Sequence, residues 1–485
     1  MRTLLLRSGY RGACFTQIQT VTSRTPHIAS PRKAATIATR ALSVPPHTFS
    51  RSLFSSSLHL RNSMSRLDTL PSMMNNAHLQ RTLPGNIYIS THSVNFIRKF
   101  AAAAVAANPS DTESSSTTDR DPNSVAYWLL TVAALTYGII VLGGLTRLTE
   151  SGLSITEWNL IKGMKAPSSE QEWQEEFAKY KETPEYKVLN HHMTMPEFKR
   201  IFYYEWAHRL WGRAIGLAFL VPLGYFLARG KLSRPTATKA IGLGSLIGFQ
   251  GFLGWYMVRS GLDPQHVEGR PIPVPRVSQH RLAAHLMTAF LVYGGCVWMG
   301  FDVLRSNLGK DKLEALRKQL DNPALRPLRR YGYALLSLVF ITAFSGALVA
   351  GLDAGLVYNE WPLMGGRVVP SDMWNLTDAK GEKVERWRNL VENPSAVQFD
   401  HRMLAYSTLA SSTALFMYGR RLPIPRPAKA ALHAVMALAY CQAALGIFTL
   451  LYLVPIPLAS AHQAGSVAVY TAAVWLVQAM KAVPK

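Results

Sequence analysis

Charged side chains are scarce in this chain of 485 residues. They make up 17% of the sequence, against roughly 25% in soluble globular proteins. No Asp, Glu, Lys or Arg intervenes between Lys429 and Lys481, and that stretch is long enough for two membrane spans. This scarcity argues against both a soluble enzyme and a DNA-binding protein.

Cysteine is also rare. The chain has three cysteines, Cys14, Cys296 and Cys441, and none of them lies in a CxxC pair or has the spacing of a zinc site. We therefore expect neither a disulfide framework nor a thiolate metal centre.

Acidic residues are nearly absent from the first 110 positions. Residues 1–110 hold 13 Lys and Arg but one acid, Asp68, and they are rich in Ser and Thr. This composition is typical of a mitochondrial transit peptide with disordered sequence, followed by a linker at 111–124. A basic tail without a targeting role is the alternative. The segment carries +12 of the net charge of +23, and the remainder lies largely in short loops, so we expect no nucleic-acid partner.

Apolar runs predict an all-α integral membrane protein with eight transmembrane helices. Four runs have full spanning length, namely 125–145, 240–258, 282–301 and 331–352. Two shorter runs, 214–228 and 403–419, reach that length when their charged first turns are included. The run at 430–480 divides into two spans at Pro455 and Pro457.

The charges in the predicted loops orient these helices. With eight spans both termini lie on one side, where the loops 229–239, 305–330 and 420–429 hold 4, 8 and 4 bases against 0, 3 and 0 acids. The long loops on the other side, 147–200 and 353–400, hold 8 and 5 bases against 9 and 8 acids. The positive-inside rule then predicts a multi-pass protein of the mitochondrial inner membrane with both termini in the matrix.

The two halves of the membrane region are duplicates. The chain reads GGLTRLTESGLSITEWNLIKG from Gly143 and GALVAGLDAGLVYNEWPLMGG from Gly346, an offset of 203 residues. EWAHR then matches QFDHR, QGFLG matches QAALG, and LAAH matches ASAH. Because each half holds an even number of spans, both halves have the same orientation. We predict four-helix bundles at 125–305 and 331–480, related by a pseudo-twofold axis along the membrane normal and joined by a matrix linker at 306–330.

Four histidines occupy equivalent positions in the repeat, each near the start of an even-numbered span. A single histidine in a span is often only a hydrogen-bonded packing residue, but polar residues inside membranes are costly and usually functional. Two imidazoles from opposed helices of a bundle can supply both axial ligands of a haem iron. We therefore predict two haem sites near the outer surface, one formed by His208 and His285 and the other by His401 and His462.

An arginine follows the first histidine of each pair at the membrane boundary. Arg209 and Arg402 can form bidentate contacts with carboxylates, so we predict that they bind haem propionates. An arginine that merely extends to the interface is the alternative.

The two halves differ in one chemically important position. Glu205 lies three residues before His208 and therefore on the same helical face, whereas Gln398 holds the equivalent position beside His401. A group that moves a proton or stabilises a developing cation has to ionise, which Gln398 cannot do. This asymmetry favours a chemical role for the N-terminal site and electron relay for the C-terminal site. A first-turn acid that stabilises its helix is the alternative for Glu205.

The motifs EWAHR, SGLSITEW, NEWPLMGG, LAAHL and SAHQAGS resemble the mitochondrial haem A synthase family across essentially all of the predicted membrane region. The resemblance implies an oxidoreductase that converts the C8 methyl group of haem O to the formyl group of haem A, for cytochrome c oxidase. It implies that His208 and His285 hold the substrate haem O, that His401 and His462 hold a resident haem B, and that Glu205 is catalytic.

The resemblance also implies partners. The protein partners are a ferredoxin-type electron carrier and haem O synthase. Lipid of the inner membrane surrounds the spans, and both a monomer and a homo-oligomer are compatible with the sequence. The main alternative is a membrane di-haem cytochrome b that transfers electrons without altering its haem, and a transporter built on a repeat is another. The difference between Glu205 and Gln398 argues against the cytochrome, and four histidines at one depth argue against the transporter.

Overall fold

The computed structural model describes residues 120–159, 161–264, 274–378 and 380–482. Within these residues the chain is helical, with two isolated bridges and no strand, which confirms the all-α prediction. The predicted transit peptide at 1–110 and most of the linker at 111–124 lie outside the described residues. The domain boundaries drawn from the repeat stay predictions.

Twelve α-helices lie in the described part of the chain. They are α1 (Asn123–Leu148), α2 (Glu170–Lys181), α3 (Pro184–Val188), α4 (Met195–Ala228), α5 (Arg234–Gly261), α6 (Gln279–Ser306), α7 (Lys310–Leu320), α8 (Arg326–Leu352), α9 (Arg386–Glu392), α10 (Pro394–Gly419), α11 (Arg426–Leu451) and α12 (Ile456–Ala479). Proline stands in the first turn of six of the long helices, where its missing N–H costs no hydrogen bond.

Six of the helices in the described residues are long and apolar enough to cross a membrane: α1, α4, α5, α6, α8 and α11. The helices α10 and α12 have comparable lengths of 26 and 24 residues but are not among these six. Polar residues lower their hydropathy, among them Asp400 and Arg402 in α10 and Gln463 in α12. The predicted arrangement of eight spans in two bundles therefore stays a prediction.

The core lies where helices from the two halves of the sequence meet. The helix α1 packs against α4, α6 and α12, and α8 packs against α6, α10 and α12. A single apolar cluster runs through these helices and includes the buried side chains of Val132, Phe290, Leu335 and Tyr470. Burial of this kind of surface stabilises the contact between the halves without any directional bond.

Polar contacts add specificity at the same place. The Gln463 amide donates a hydrogen bond to the Ile140 carbonyl at 2.9 Å, and the Tyr137 hydroxyl donates to the Ala464 carbonyl at 2.9 Å. Both bonds join α1 to α12. A buried amide or hydroxyl with a single available acceptor tolerates little sliding of one helix along the other.

A compact segment between α1 and α4 covers the first turns of α4. Its helices α2 and α3 present aromatic side chains that stack on those of α4, and the buried members of this cluster are Trp173, Phe177, Tyr180, Phe198, Ile201 and Phe202. The start of α4 is fixed by Thr194 and Glu197, which form a capping box. The segment thus lies against the turns that lead to Glu205.

The approach of α8 to α6 requires a glycine. A Cβ atom on Gly351 would lie 2.7 Å from the Cα atom of Gln279, and helix backbone cannot move aside as a flexible side chain can. We expect Gly351→Ala to separate α8 from α6 and to lower the free energy of unfolding by about 1–3 kcal/mol. Thermal unfolding in detergent would measure this change.

The matched control is Gly248→Ala. A Cβ atom there would meet nothing within 4 Å, and alanine is the better helix former. We expect this control to leave the melting temperature unchanged or slightly higher. Equal melting temperatures for both variants would contradict the close contact at Gly351.

Candidate functional site

The structure brings the four predicted histidines together as the two predicted pairs. The ring centroids of His208 on α4 and His285 on α6 lie 6.5 Å apart, and those of His401 on α10 and His462 on α12 lie 6.4 Å apart. Two imidazoles that bind one metal ion from opposite sides, with metal–nitrogen bonds of about 2 Å, have ring centres about 6 Å apart. Each pair is therefore spaced to share a single iron ion.

The imidazoles also lack some of the partners that buried polar groups normally have. Within the described residues, the Nδ1 atoms of His285 and His462 are buried without a hydrogen-bond partner. A buried polar atom without a partner costs free energy and calls for an explanation, and a ligand in the site is one. His401 differs, because its Nδ1 lies 2.8 Å from the hydroxyl of Ser345. These observations fit a bis-histidine haem in each half.

Each imidazole lies against a glycine of a neighbouring helix. A Cβ atom on any of these four glycines would come within 2.9 to 3.5 Å of an imidazole atom, so the missing side chain makes room for the ring. The pairs are Gly143 with His208, Gly254 with His285, Gly346 with His401, and Gly446 with His462. Sequence reasoning did not assign this role, although the repeat carried the signal: two of these glycines head the duplicated loops and two end the QGFLG and QAALG motifs.

Glu205 is buried, with 2% of its surface exposed, and its two oxygens accept four hydrogen bonds. Oε2 accepts from the Ser154 hydroxyl at 2.7 Å and from the Ile155 N–H at 2.8 Å. Oε1 accepts from the Arg209 guanidinium at 2.6 and 3.1 Å. Because Ser154 and Ile155 belong to the loop after α1, this carboxylate ties that loop to α4.

Arg209 completes the same connection. It donates to the carbonyls of Ile155 and Glu157 at 2.8 and 2.7 Å, and its guanidinium lies 4.9 Å from the centre of the Trp158 ring. Glu205 and Arg209 together therefore clamp the loop 154–158, and we call this arrangement the loop clamp of the N-terminal half.

The C-terminal half has an equivalent loop clamp built on an amide. The Gln398 amide donates to the Ala354 carbonyl at 2.8 Å, and its oxygen accepts from Arg402 at 3.2 Å. Arg402 also donates to the carbonyls of Tyr358 and Leu363, at 3.0 and 3.1 Å. Tyr358 stands at the repeat offset of 203 from Ile155, so the same backbone carbonyl is bound in both halves.

The geometry bears on the predicted roles of the two arginines. Their described hydrogen bonds go to loop carbonyls and to Glu205 or Gln398, while the Nε of Arg402 is buried without a partner among the described residues. Both arginines thus hold the loops in place. Propionate binding stays a prediction for Arg209 and Arg402.

Comparison with known proteins identifies the family. The model of a family described as cytochrome oxidase assembly protein, COX15-CtaA, matches residues 126–474. The chain is 50% identical over 357 residues to heme A synthase COX15 of Saccharomyces cerevisiae, which covers 72% of this chain and 73% of the yeast protein. It is 47% identical over 362 residues to heme A synthase COX15 of Mus musculus, covering 75% and 83% of the two chains.

The chain belongs to the COX15-CtaA family of cytochrome oxidase assembly proteins. Its relatives are named heme A synthases, and like them it is an oxidoreductase. With its six candidate spans it is a multi-pass protein of the mitochondrial inner membrane. It is also 40% identical over 435 residues to a heme A synthase-mitochondrial ferredoxin fusion protein of Schizosaccharomyces pombe, which covers 86% of this chain and 70% of the fusion.

The two loop clamps predict unequal responses to loss of their arginines. Arg209→Met leaves Glu205 buried without its counter-charge, and removing one partner of a buried ion pair destabilises by about 3–5 kcal/mol. Arg402→Met leaves the neutral Gln398, where loss of ordinary hydrogen bonds costs about 1–2 kcal/mol. Thermal unfolding of both variants in detergent would measure the difference.

The double variant Glu205→Gln with Arg209→Met provides the control. It removes both charges, so we expect it to recover part of the stability lost by Arg209→Met alone. Equal destabilisation by Arg209→Met and Arg402→Met, with no recovery in the double variant, would show that the charge of Glu205 does not distinguish the two clamps.

Proposed function

We propose that this protein is a haem A synthase that oxidises the C8 methyl group of haem O to a formyl group, giving haem A for cytochrome c oxidase. The observation that carries the proposal is the pairing of two equally spaced bis-histidine sites with an acid, Glu205, that is buried beside one of them, while the equivalent described residue beside the other is the amide Gln398. Family membership and the names of the relatives support the same activity.

The two sites receive different roles in this proposal. His208 and His285 hold the substrate haem O, because Glu205 lies one turn from His208. His401 and His462 hold a resident haem B, which supplies one-electron transfer when it is bound. Ser345, bonded to His401, keeps one ring of that pair in a single orientation, as outer partners of haem and metal ligands generally do.

The negative charge of Glu205 can contribute to the reaction at the substrate site. Each round of oxidation removes two electrons from the methyl group, and positive charge develops at the carbon that water attacks. A preorganised negative charge in a region of low dielectric stabilises such a cation more than water can. Since four donors hold the Glu205 carboxylate in place, electrostatic stabilisation suits it better than repeated uptake of a proton.

The proposal also places the protein in its membrane. We propose eight spans in two four-helix bundles, with both termini in the matrix and both histidine pairs near the intermembrane surface. The helices α10 and α12 support this arrangement because they pack along α8 and α11 as long helices and carry His401 and His462.

Electron and substrate partners follow from the same activity. A ferredoxin-type carrier is supported by the fission-yeast protein that joins a heme A synthase to mitochondrial ferredoxin in one chain. Haem O synthase is the expected source of the substrate, and inner-membrane lipid surrounds the spans. Formation of a homo-oligomer stays open.

The decisive experiment is Glu205→Gln. This variant removes the charge, nearly keeps the size of the side chain, and keeps an oxygen that can accept from Arg209 as the Gln398 oxygen accepts from Arg402. We expect haem B together with haem A or its hydroxylated precursor in the purified wild type. We expect haem O to accumulate in Glu205→Gln, with haem A reduced by a factor of about 100 or more. Extraction and chromatography of the haems would measure both.

Gln398→Ala serves as the control for disturbance of a loop clamp, and it should retain haem A formation. Haem B alone in both the wild type and Glu205→Gln would overturn the proposal. That result would favour a di-haem cytochrome that transfers electrons only, in which Glu205 holds the loop as Gln398 does.

The assignment of haem B to the C-terminal pair has its own test. A Cβ atom on Gly446 would lie 2.9 Å from Cε1 of His462, so Gly446→Leu should displace that ring. We expect this variant to lose haem B and to keep haem O binding at His208 and His285. Gly251→Leu is the control, because a Cβ atom there would meet nothing within 4 Å. Full haem B content in Gly446→Leu would contradict the assignment.

A further inference from the structure

A second acid is buried in the N-terminal half, in the α2–α3 segment that packs on the turns of α4 leading to Glu205. Glu185 lies in the short helix α3 with 5% of its surface exposed, and its Oε2 atom is buried with no hydrogen-bond partner in the described part of the chain. Glutamate is almost never buried in this way unless it is paired. An unpaired buried carboxyl calls for a functional explanation.

The surroundings of Glu185 are negative. The charges that interact with the Glu185 carboxyl are those of Glu150, just after α1, of Glu205 on α4, and of Arg147. The hydroxyl of Tyr180 on α2 also interacts with the charge of Glu185. Arg147 is itself paired with Asp353 at 2.6 Å, which reduces its influence. Burial raises the pKa of the Glu185 carboxyl well above its ordinary value, and the charges of Glu150 and Glu205 raise it further.

Glu185 and Glu205 form a contrasting pair. Glu205 accepts four hydrogen bonds and pairs with Arg209, whereas Glu185 has an oxygen with no donor. Two acids whose environments differ in this way commonly divide the roles of charge and proton carrier. The third buried acid among the described residues, Asp121, bonds to Ser233 and Thr236 and lies at the opposite end of α1.

The reaction needs a proton carrier at this place. Each round of methyl oxidation removes two electrons and releases two protons, while water supplies the oxygen. A haem B held by His401 and His462 would accept the electrons one at a time. The Glu205 carboxylate is already surrounded by donors, and protonating it would break the loop clamp. Among the described residues, Glu185 is the buried acid with an unpartnered oxygen, its charge interacts with that of Glu205, and its neighbours Lys187 and Val188 are exposed.

We propose that Glu185 is the proton-carrying residue of the substrate site. Its O–H bond breaks to release a proton to the aqueous side of the α2–α3 segment, and the bond forms again with a proton released at the substrate site. This happens twice in each round, once for the proton from the methyl C–H bond and once for the proton from the attacking water. The carboxyl is thus unchanged over a full round. This inference rests on the proposed haem A synthase activity.

The first test compares Glu185→Gln and Glu185→Asp with the control Glu182→Gln, an exposed acid three residues away. We expect Glu185→Gln to bind haem O and haem B as the wild type does but to form haem A about a hundredfold more slowly. Glu185→Asp keeps a carboxyl and should recover part of the rate, and Glu182→Gln should equal the wild type. A residue needed only for its shape would tolerate Gln better than Asp, and that order of rates would overturn the proposal.

The second test needs no turnover. The infrared spectrum of the wild type at neutral pH should contain the carbonyl band of a protonated carboxylic acid that is missing in Glu185→Gln. The pH dependence of the melting temperature also reports whether Glu185 is protonated in the folded protein. Because the unfolded chain releases this proton at lower pH than the folded chain does, wild-type stability is lost as pH rises from the ordinary value toward the raised pKa. The gain in melting temperature of Glu185→Gln over wild type should therefore grow from acid to neutral pH.

The outcomes separate the two proposals. A protonated Glu185 together with full turnover in Glu185→Gln would overturn the carrier role and leave haem A synthesis intact. The absence of the infrared band, with a constant stability difference across pH, would show an ionised Glu185 and overturn the carrier role as well. Absence of haem A in the wild type would instead overturn the proposed function, whatever the state of Glu185.

Discussion

The hydrogen bonds from two arginines to the backbone carbonyls of the loops after α1 and α8 are the contacts on which both histidine sites depend. These loops join helices at the ends where the imidazoles lie, and their partly buried stretches carry backbone carbonyls that need donors. A guanidinium offers five N–H groups in a fixed plane, so one side chain can satisfy several carbonyls at once. Arg209 and Arg402 do this in equivalent positions and bring each loop against the helix that carries a histidine.

Both halves keep the contact between arginine and loop, but the residue that pairs with the arginine is charged in only one of them. In both halves the residue four positions before the arginine accepts from the guanidinium, but it is Glu205 in one half and Gln398 in the other. The change alters the electrostatics of a buried site and the direction of its hydrogen bonds: Glu205 accepts from two donors of the loop, whereas Gln398 donates to the Ala354 carbonyl. The arginine keeps its bonds to the loop carbonyls in both halves. In a region of low dielectric, a single charge of this kind changes which species the site stabilises. Two sites with the same ligand geometry can then have different chemistry.

Much of this arrangement could be predicted from the sequence, because the relevant signals are periodic or repeated. Helical runs are read from hydropathy, and the histidine pairs follow from equivalent positions in the duplicated halves. The partners of Arg209 could not be predicted in full. The spacing of four residues places it beside Glu205, but its bonds to Ile155 and Glu157 depend on the path of a loop that has no period. The runs 403–419 and 430–480 predict α10 and α12 as spans, but these two helices are not among the six described helices that are long and apolar enough to cross a membrane.

The contact between the halves explains how the two sites keep a fixed relation. Gln463 follows His462 in α12 and bonds to the Ile140 carbonyl of α1, and a Cβ atom on Gly144 would collide with the Gln463 side chain. The preceding residue, Gly143, lies against His208. A short, well-packed path therefore joins one imidazole of each pair through two adjacent glycines. Displacement of α12 along α1 would break the hydrogen bond of the Gln463 amide and disturb both histidine pairs at once. The distance between the two pairs is therefore held by packing rather than by the loops.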